Sequence, residues 1–579
     1  MQRPRRHPRR RGRRTGALAS AVAALVLAAP CATAAPLTQP TVTDGGAQST
    51  PLYKDTRRSF QERAADLVSR MTLDQKIRQL ITNDAPAIPG LGVQGYTYWN
   101  EALHGIQALG NGKNVGDGDS WPVKATGFPT SLATSMAWDP ELQYQVGSAI
   151  SDEARGFLDK SLFGTGQNNL GSSADNYGAL TYFAPTVNND RDPLWGRHDE
   201  SYGEDAYLQA KLGGQFVNGF QGQKPDGTSL NGYLKAAATA KHYALNNVED
   251  GRTGISSDVD DSQLRDYYTR QFASLIGEAH VAGLMTSYNA INGTPAVANT
   301  YTNNELAHRT YGFGGFTTSD CGGVGTRYKL PDEGHDWAPA PFTTNGSRGN
   351  PLWIDGKTGA EVRAPAGGQA MALRSGNDLN CSGEEMTTAN VMEAVRAGLL
   401  SEGVIDTALV KVFTVRMWTG EFDPPGSVSY TSIDKSVIQS ADHKALAAKA
   451  ADASMVLLKN STLAATGRPL LPLKAASVNK VVVLGKLADT VSLGSYGNAP
   501  DQQISMRQGI ADALRAANPN ASVLYDAAGG STTGTGPVTL STATQAAVKA
   551  ADLVVVVAGT DRPGHRLGGQ GPREPRVAR

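Results

Sequence analysis

Short apolar runs of strand length alternate with helix-like segments between about residues 55 and 420. The apolar runs cover residues 180–184, 236–240, 281–287 and 314–318. The helix-like segments include residues 205–220, 262–279, 368–375 and 389–397. Strands that alternate with helices form a mostly parallel sheet with helices over both faces. The pattern predicts an α/β fold, and its length fits a (β/α)8 TIM-like barrel with insertions.

A second, smaller α/β unit follows this region. The stretch EFDPPG at 421–426 interrupts the pattern in the way that a turn-rich linker does. Helix-like and strand-like segments then alternate up to the apolar run ADLVVVVA at 551–558. A strand this apolar is normally buried between two neighbours, yet no strand-like segment follows it. The predicted domains are a barrel over 56–420, a linker over 421–435, an incomplete α/β sandwich domain over 436–561 and a non-native-looking Arg/Gly/Pro tail over 562–579.

The first 35 residues have the order of an export signal. An Arg-rich start precedes an apolar run at 17–29 and the small-residue site Ala32-Thr33-Ala34. The apolar run is shorter than the roughly 20 residues that a membrane-spanning helix needs. We predict a signal peptide over 1–35, a flexible leader over 36–55 and secretion, and the pair Arg13-Arg14 fits twin-arginine export.

The formal net charge is zero, with 54 basic and 54 acidic residues, but the charges are unevenly distributed. Eight Arg fall within residues 1–14 and five within 562–579, where Glu574 is the single acid. The body between these ends is therefore acidic. Because binding to nucleic acid needs clustered Lys and Arg, we expect no nucleic-acid partner, and no membrane partner once the signal peptide has been removed.

Polar residues directly follow each of the four apolar runs. They are 188–192, Lys241-His242, Tyr288-Asn289 and Asp320. In a parallel barrel the reactive residues project from the carboxyl ends of the strands. We therefore expect these four groups to converge on one mouth of the barrel. Gly322-Gly323 lies just after Asp320 and would let the backbone approach a ligand closely.

Seven segments carry a resemblance to a known family. They are YWNEALHGI (98–106), NDRDPLWGRHDESYGED (189–205), AKHYA (240–244), SYNAINGTP (287–295), YGFGGFTTSDCGGV (311–324), RSGNDLNCSG (374–383) and ASMVLLKN (453–460). From about residue 55 to 561 the chain resembles the family 3 glycoside hydrolases, retaining exo-β-glycosidases that include β-glucosidases and β-xylosidases. The WNEALHG and SDCGG forms resemble the β-xylosidase-like branch.

The resemblance implies a role for each residue that matches a family motif. Asp320 would be the nucleophile that forms a glycosyl-enzyme. Glu101 would accept hydrogen bonds from the hydroxyls of the same sugar. The sugar would be held by four further side chains: Arg191, Lys241, His242 and Tyr288. The resemblance implies no cofactor and no metal, and an oligosaccharide or aryl glycoside as the partner.

The arginine-containing loop holds further charged residues, namely Arg197, Glu200, Glu204 and Asp205. We predict that they form an ion-pair network that fixes the Arg191 loop, because no metal-ligand spacing accompanies them. The choice among xylose, glucose and arabinose stays open at this stage. In an oxidising compartment Cys321 and Cys381 either form a disulfide or stay as two buried thiols.

A second catalytic carboxyl is harder to place. Retaining enzymes need an acid/base group roughly 5–5.5 Å from the nucleophile, and the resemblance puts it a few residues after Gly559-Thr560-Asp561. The chain has His565 and Leu567 there, and Glu574 lies too far along the tail. The loop KHYALNNVEDGRTG also lacks the second His with which the N-acetylglucosaminidase branch replaces this Glu. We therefore expect a C-terminal truncation or frame shift after Asp561, and impaired activity.

Two other functions remain as alternatives. The missing acid favours a non-catalytic sugar-binding pseudoenzyme. The acidic loop would suit a metal-dependent hydrolase, which predicts inhibition by chelators.

Residues 327–365 form a long Gly/Pro-rich stretch without periodicity, which is either a wall of the pocket or a surface insertion. Trp99, Trp195, Trp337 and Trp353 either stack on sugar or pack in the core.

Overall fold

The computed structural model describes residues 50–83, 85–107, 109, 124–158, 180–527 and 539–559. All of these residues belong to one compact unit that begins at Thr50. The predicted signal peptide, most of the predicted leader and the predicted tail lie outside the described residues. Among the described residues, no helix combines the length and the apolar character needed to cross a membrane.

The elements alternate along the chain as the apolar pattern predicts. The strands are β1 (Thr181–Tyr182), β2 (Ala237–Tyr243), β3 (Ser256–Ser257), β4 (Gly283–Thr286), β5 (Ala290–Ile291), β6 (Thr294–Pro295), β7 (Phe316–Ser319), β8 (Phe342–Thr344), β9 (Leu352–Asp355), β10 (Glu361–Arg363), β11 (Lys480–Leu484), β12 (Ser522–Asp526) and β13 (Leu553–Val556). The α-helices are α1 (Phe60–Ser69), α2 (Leu73–Arg78), α3 (Ser131–Ser135), α4 (Pro140–Gly156), α5 (Ala206–Gln221), α6 (Asp261–Gln263), α7 (Arg270–Gly277), α8 (Gly323–Thr326), α9 (Ala364–Arg374), α10 (Thr388–Arg396), α11 (Glu402–Trp418), α12 (Ala441–Ala453), α13 (Met506–Ala517) and α14 (Thr542–Lys549).

The central sheet is parallel and has the order β1-β2-β4-β7. All seven residues of β2 are buried, as expected for a parallel strand with both faces covered. Further backbone links curl the sheet into a ring: the bridges Thr318–Leu379 and Ile81–Asn380, and the hydrogen bonds Tyr98 N to Thr82 O (2.8 Å) and Phe183 N to Asn100 O (2.8 Å). The predicted α/β fold with a TIM-like sheet is thus confirmed, whereas the number of eight strands stays a prediction.

Helices cover the outside of the ring, and local sequence signals begin and end them. Ser59 and Glu62 form a capping box at the start of α1. Asp205 caps α5 through Leu208 N, and Gly222 ends that helix with φ +69°. Two apolar cores result. One packs α4, α5 and α7 against β1, β2 and β4, and the other packs α1, α9, α10 and α11 around Phe316 of β7.

The second α/β unit contains a parallel three-stranded sheet with the order β12-β11-β13. Its small core includes Val481, Val483, Leu514 and Leu553. In the described sheet β13 is an edge strand rather than a strand between two neighbours, and Val556 is 68% exposed. Helix α12, which lies within the predicted second domain, packs with Ala450 against the barrel core.

The long stretch 327–365 is folded rather than irregular. It carries an antiparallel sheet with the order β10-β9-β8. Trp353 on β9 is completely buried in the second barrel core and contacts Trp337 edge-on at a ring distance of 6.2 Å. Trp195 is also buried, so both Trp195 and Trp353 pack in the core. The insertion is therefore tied to the barrel by an aromatic anchor.

Candidate active site

Asp320 lies at the carboxyl end of β7, where the sequence places it. Its backbone N–H donates to Thr286 O (3.0 Å), which continues the pairing of β7 with β4. One carboxylate oxygen accepts from the backbone N–H of Cys321 (2.8 Å). The other lies 3.7 Å from His242 Nε2, and the side chain keeps 14% of its surface exposed. The carboxylate is therefore fixed in orientation and still reachable by a ligand.

Lys241 and His242 lie near the carboxyl end of β2 and both reach the cluster of side chains around Asp320, although neighbouring residues of a strand normally point to opposite faces. The register of β2 against β4 shifts between Lys241 and Tyr243. Such an irregularity re-aims side chains, and it is common next to active sites. Lys241 Nζ pairs with Glu101 Oε2 at 3.1 Å, and Glu101 Oε1 accepts from Trp99 Nε1 at 3.0 Å.

Lys241 is held in its charged form. Burial by itself would lower the pKa of the Lys241 ammonium, but the adjacent Glu101 carboxylate outweighs this and raises the pKa. The side chains of both partners are almost fully buried. The pair therefore presents a fixed cation and a fixed anion at one side of the cluster, a suitable arrangement for binding the hydroxyls of a polyol.

His242 is neutral and fully hydrogen bonded. Its backbone N–H and its Nδ1 both lie within 3.0 Å of Asn188 Oδ1, so we assign the proton to Nδ1. Nε2 then accepts from Arg197 Nη2 at 3.2 Å. Burial, together with the charges of Arg197 and Lys241, holds the pKa of His242 well below its usual value. The imidazole thus faces Asp320 without a positive charge.

Tyr288 follows β4 and is built into the wall of the site. Its hydroxyl donates to the backbone carbonyl of Cys321 (2.5 Å), next to Asp320. Burial raises the pKa of the Tyr288 hydroxyl well above its usual value, so the group remains a donor. The guanidinium of Arg252 lies 4.5 Å from the centre of the ring.

The structure joins Cys321 and Cys381 in a disulfide. Cys381 follows the ring segment that pairs with β7, and its carbonyl accepts from Gly322 N (2.7 Å). Its backbone N–H donates to Ser319 Oγ (3.0 Å). The bond therefore braces the turn that carries Asp320.

The predicted position of Arg191 at the sugar-binding cluster needs a correction. The structure leaves it exposed, on a pocket of about 330 Å³ that it shares with Asn247, Ser257 and Tyr268. Arg197 occupies the place expected for Arg191: it is buried and lies 3.2 Å from His242. The turn around buried Trp195 separates the two arginines and brings only the second one to the cluster.

The predicted ion-pair network is present in part. Arg197 forms a forked pair with Glu200, with distances of 2.8 and 2.6 Å. Asp205 instead caps α5. Within the residues that the structure describes, no three His, Cys, Asp or Glu side chains are grouped as a metal site would require.

Three residues at the site were not foreseen from the sequence. Glu249 lies 3.9 Å from Arg197 and pairs with Arg252. Tyr496, from the second α/β unit, places its ring 4.1 Å from Lys241 Nζ. Glu249 and Arg252 stand in the loop directly after Lys241-His242, so proximity in sequence could have suggested them. No sequence signal points to Tyr496, because it comes from a distant loop.

Comparisons with known proteins agree with this arrangement. The model of the glycosyl hydrolase family 3 N-terminal domain matches residues 165–332, and that of the family 3 C-terminal domain matches residues 455–571. Probable beta-D-xylosidase 7 of Arabidopsis thaliana is 32% identical over 485 residues, which cover 82% of this chain and 55% of the relative. Exo-1,4-beta-xylosidase xlnD of Aspergillus niger is 30% identical over 545 residues, which cover 92% and 59%.

The chain belongs to glycosyl hydrolase family 3. A solved GH3 exo-beta-xylosidase (XlnD), in complex with a xylobiose aziridine activity-based probe, superimposes with a TM-score of 0.70 at 26% identity, over 88% of this chain and 58% of that chain. The chain thus spans little more than half the length of these family 3 relatives.

Both family 3 matches contribute to the cluster. The N-terminal match contains Arg197, Lys241, His242 and Asp320, and the C-terminal match contains Tyr496. The C-terminal match also extends to residue 571, beyond Asp561, where the motif resemblance ends. Residues 560–579 lie outside the described part of the chain.

Proposed function

We propose that this chain is a retaining exo-β-glycosidase that removes terminal non-reducing β-linked sugars from oligosaccharides, with Asp320 as the nucleophile. One observation carries the proposal: the Asp320 carboxylate faces a neutral imidazole at 3.7 Å, whereas Glu101, Glu200 and Glu249 pair with Lys or Arg. Asp320 is thus the site carboxylate left open toward a ligand. The xylosidase relatives support β-linked xylose as the first sugar to test.

The geometry suits a two-step displacement. A carboxylate oxygen of Asp320 attacks the anomeric carbon while the bond from that carbon to the leaving oxygen breaks, and the leaving oxygen takes the electron pair. Lys241 and Arg197 hold the sugar hydroxyls during this step, while neutral His242 orients Arg197 and lies beside the Asp320 carboxylate. Water then attacks the anomeric carbon, the bond from that carbon to the Asp320 oxygen breaks and returns its electron pair to the carboxylate, and the proton that water loses passes to the solvent.

We expect this chain to protonate the leaving oxygen poorly. The positions at which the family resemblance places the acid/base Glu hold His565 and Leu567. Without this carboxyl, a natural leaving group would have to depart unprotonated, which is slow. An activated aryl leaving group needs no proton. We therefore expect aryl glycosides to form the glycosyl-enzyme and disaccharides to react poorly.

The test is a panel of aryl β-xyloside, β-glucoside and α-arabinoside, each assayed with and without azide. Azide attacks the glycosyl-enzyme without a general base, so it should accelerate turnover and yield a glycosyl azide. Asp320→Ala should abolish turnover, whereas Asp332→Asn, which changes an exposed carboxylate in the insertion, should leave it unchanged.

The possible outcomes distinguish the proposed function from its alternatives. Rapid hydrolysis of xylobiose or cellobiose would show that an acid/base group is present and that only the nucleophile assignment stands. Sugar binding without any turnover, with or without azide, would favour the alternative of a non-catalytic sugar-binding protein. Inhibition by chelators would point to the metal-dependent alternative.

We also propose that the chain is exported. The signal-like order of residues 1–35 supports this, and so does the disulfide between Cys321 and Cys381, a bond that persists in oxidising compartments. The native protein should therefore occur outside the cell without its first 35 residues. Mass spectrometry of the extracellular protein that found an N-terminus at Met1 would contradict the proposal.

A further inference from the structure

A loop of the second α/β unit is fastened to the mouth of the barrel. Ser495 N donates to Asp199 Oδ2 (2.7 Å), and Ser495 O lies 2.8 Å from His104 Nε2. Asn498 Nδ2 donates to Thr126 O (2.9 Å). Gly494 has φ +75°, and a Cβ there would lie 2.4 Å from Thr130 Cγ2. The loop is therefore seated at several points and not merely adjacent to the barrel.

This seating carries Tyr496 into the cluster. The centre of its ring lies 4.1 Å from Lys241 Nζ, and its hydroxyl lies 3.5 Å from Arg197 Nη2. The backbone at Tyr496 has φ +55°, which is uncommon for a residue other than glycine. The surrounding contacts must hold it there. Burial raises the pKa of the Tyr496 hydroxyl to about 12, so it remains protonated at neutral pH.

The two cations that Tyr496 touches are already paired, Lys241 with Glu101 and Arg197 with Glu200. A further carboxylate would neutralise them, whereas an aromatic face attracts a cation without removing its charge. Tyr496 therefore restricts the ammonium of Lys241 while leaving it able to donate to a ligand. It does so at the side of the cluster where Lys241 meets Glu101.

We propose that Tyr496 is a positioning residue of the sugar-binding site, supplied to the barrel by the second α/β unit. Its ring holds Lys241, and its hydroxyl helps to orient Arg197, so that both donors meet the sugar hydroxyls together. The inference rests on the proposed glycosidase function, because its effect is exerted on sugar binding.

The test compares Tyr496→Phe, Tyr496→Ala and Tyr496→Leu in the full chain, with an aryl β-xyloside as substrate in the presence of azide. Tyr525→Ala is the matched control, since Tyr525 also belongs to the second unit and also faces a cation, Arg507, at 5.5 Å. We expect Tyr496→Ala and Tyr496→Leu to raise KM about tenfold with kcat changed less than threefold, as loss of uniform binding does. Tyr496→Phe keeps the ring and loses only the long 3.5 Å contact of the hydroxyl with Arg197, so it should stay within threefold of wild type in KM.

The separation of KM from kcat decides the result. A purely structural role for Tyr496 would reduce the active fraction, and hence kcat, at unchanged KM, and this would overturn the proposal. Unchanged constants in both Tyr496→Ala and Tyr496→Leu would also overturn it, while the proposed function would stand on wild-type turnover. If wild type turned over none of the aryl glycosides, the proposed function would fail first and this inference with it. Tyr496→Leu preserves bulk, so it keeps the comparison valid if the alanine variant does not fold.

Discussion

At the scale of single residues, the position of Arg197 rather than Arg191 beside His242 has a direct test. Arg197 pairs with Glu200 through a planar fork and touches His242, whereas Arg191 is exposed. Lysine keeps the charge and loses the fork. We expect Arg197→Lys to reduce kcat/KM for an aryl β-xyloside by roughly tenfold or more, and Arg191→Lys by less than about threefold.

Steady-state kinetics of the two variants, measured beside wild type, give the comparison. Thermal unfolding of both variants controls for loss of folded protein, because Arg197→Lys also weakens a buried ion pair. A greater loss in Arg191→Lys than in Arg197→Lys would return the sugar-binding role to Arg191.

Some of the residues at the site could be predicted from the sequence and others could not, for a physical reason. Lys241, His242, Tyr288 and Asp320 follow apolar runs, so the strand that positions each of them is visible in the local pattern. Arg191 and Arg197 share one loop, and which of them points inward depends on the packing of Trp195, a tertiary fact. Tyr496 reaches the site through contacts with residues hundreds of positions away, and no local pattern records those contacts.

At the scale of elements, the insertion between β7 and α9 depends on one side chain. Trp353 of β9 lies in the barrel core with no exposed surface, and Gly367 of α9 leaves room for its ring, since a Cβ there would come within 2.3 Å. We expect Trp353→Ala to lower the free energy of unfolding by about 3–5 kcal/mol. Chemical denaturation monitored by circular dichroism measures this difference.

Trp138→Ala is the matched control, because Trp138 is 72% exposed. A surface substitution of this kind should change the free energy of unfolding by no more than about 0.5 kcal/mol. Similar, small effects in both variants would mean that the three-stranded insertion is not anchored to the core. The strands of the insertion escaped prediction because they are short and lack a clear alternation of apolar and polar residues.

The burial of strand β13 also cannot be predicted from its sequence pattern alone. A strand this apolar is normally buried between two neighbours, yet in the described sheet it pairs only with β11, and Val554 and Val556 are partly or largely exposed. Apolar composition reports what a strand can tolerate. It does not report which neighbours are present to cover it.

At the scale of the whole molecule, buried histidines couple folding to pH. Burial lowers the pKa of His242, His308 and His335, three residues in different parts of the barrel domain. In the unfolded chain each has a pKa near 6.5. Below that pH the unfolded chain binds protons that the folded protein does not, so stability falls as the pH decreases. The loss approaches about 1.4 kcal/mol per pH unit for each histidine.

The measurement is the free energy of unfolding between pH 7.5 and 5.5 for wild type and for His308→Gln, a position outside the site. Asp190, whose pKa burial raises to about 7, acts in the opposite direction between about pH 4 and 7. The difference between the two proteins removes this background. Wild type should lose more stability on acidification than His308→Gln, and equal slopes would contradict the depressed pKa of His308.

The disulfide beside Asp320 has a practical consequence for anyone preparing this protein. The cytosol of common expression hosts keeps thiols reduced, so chain made there would leave Cys321 and Cys381 untethered. Tyr288 donates to the carbonyl of Cys321, and Asp320 accepts from the amide of Cys321, so the carboxylate of Asp320 would sit on an unbraced turn. Specific activity would then vary with the redox history of a batch, and thiol titration should accompany every kinetic assay.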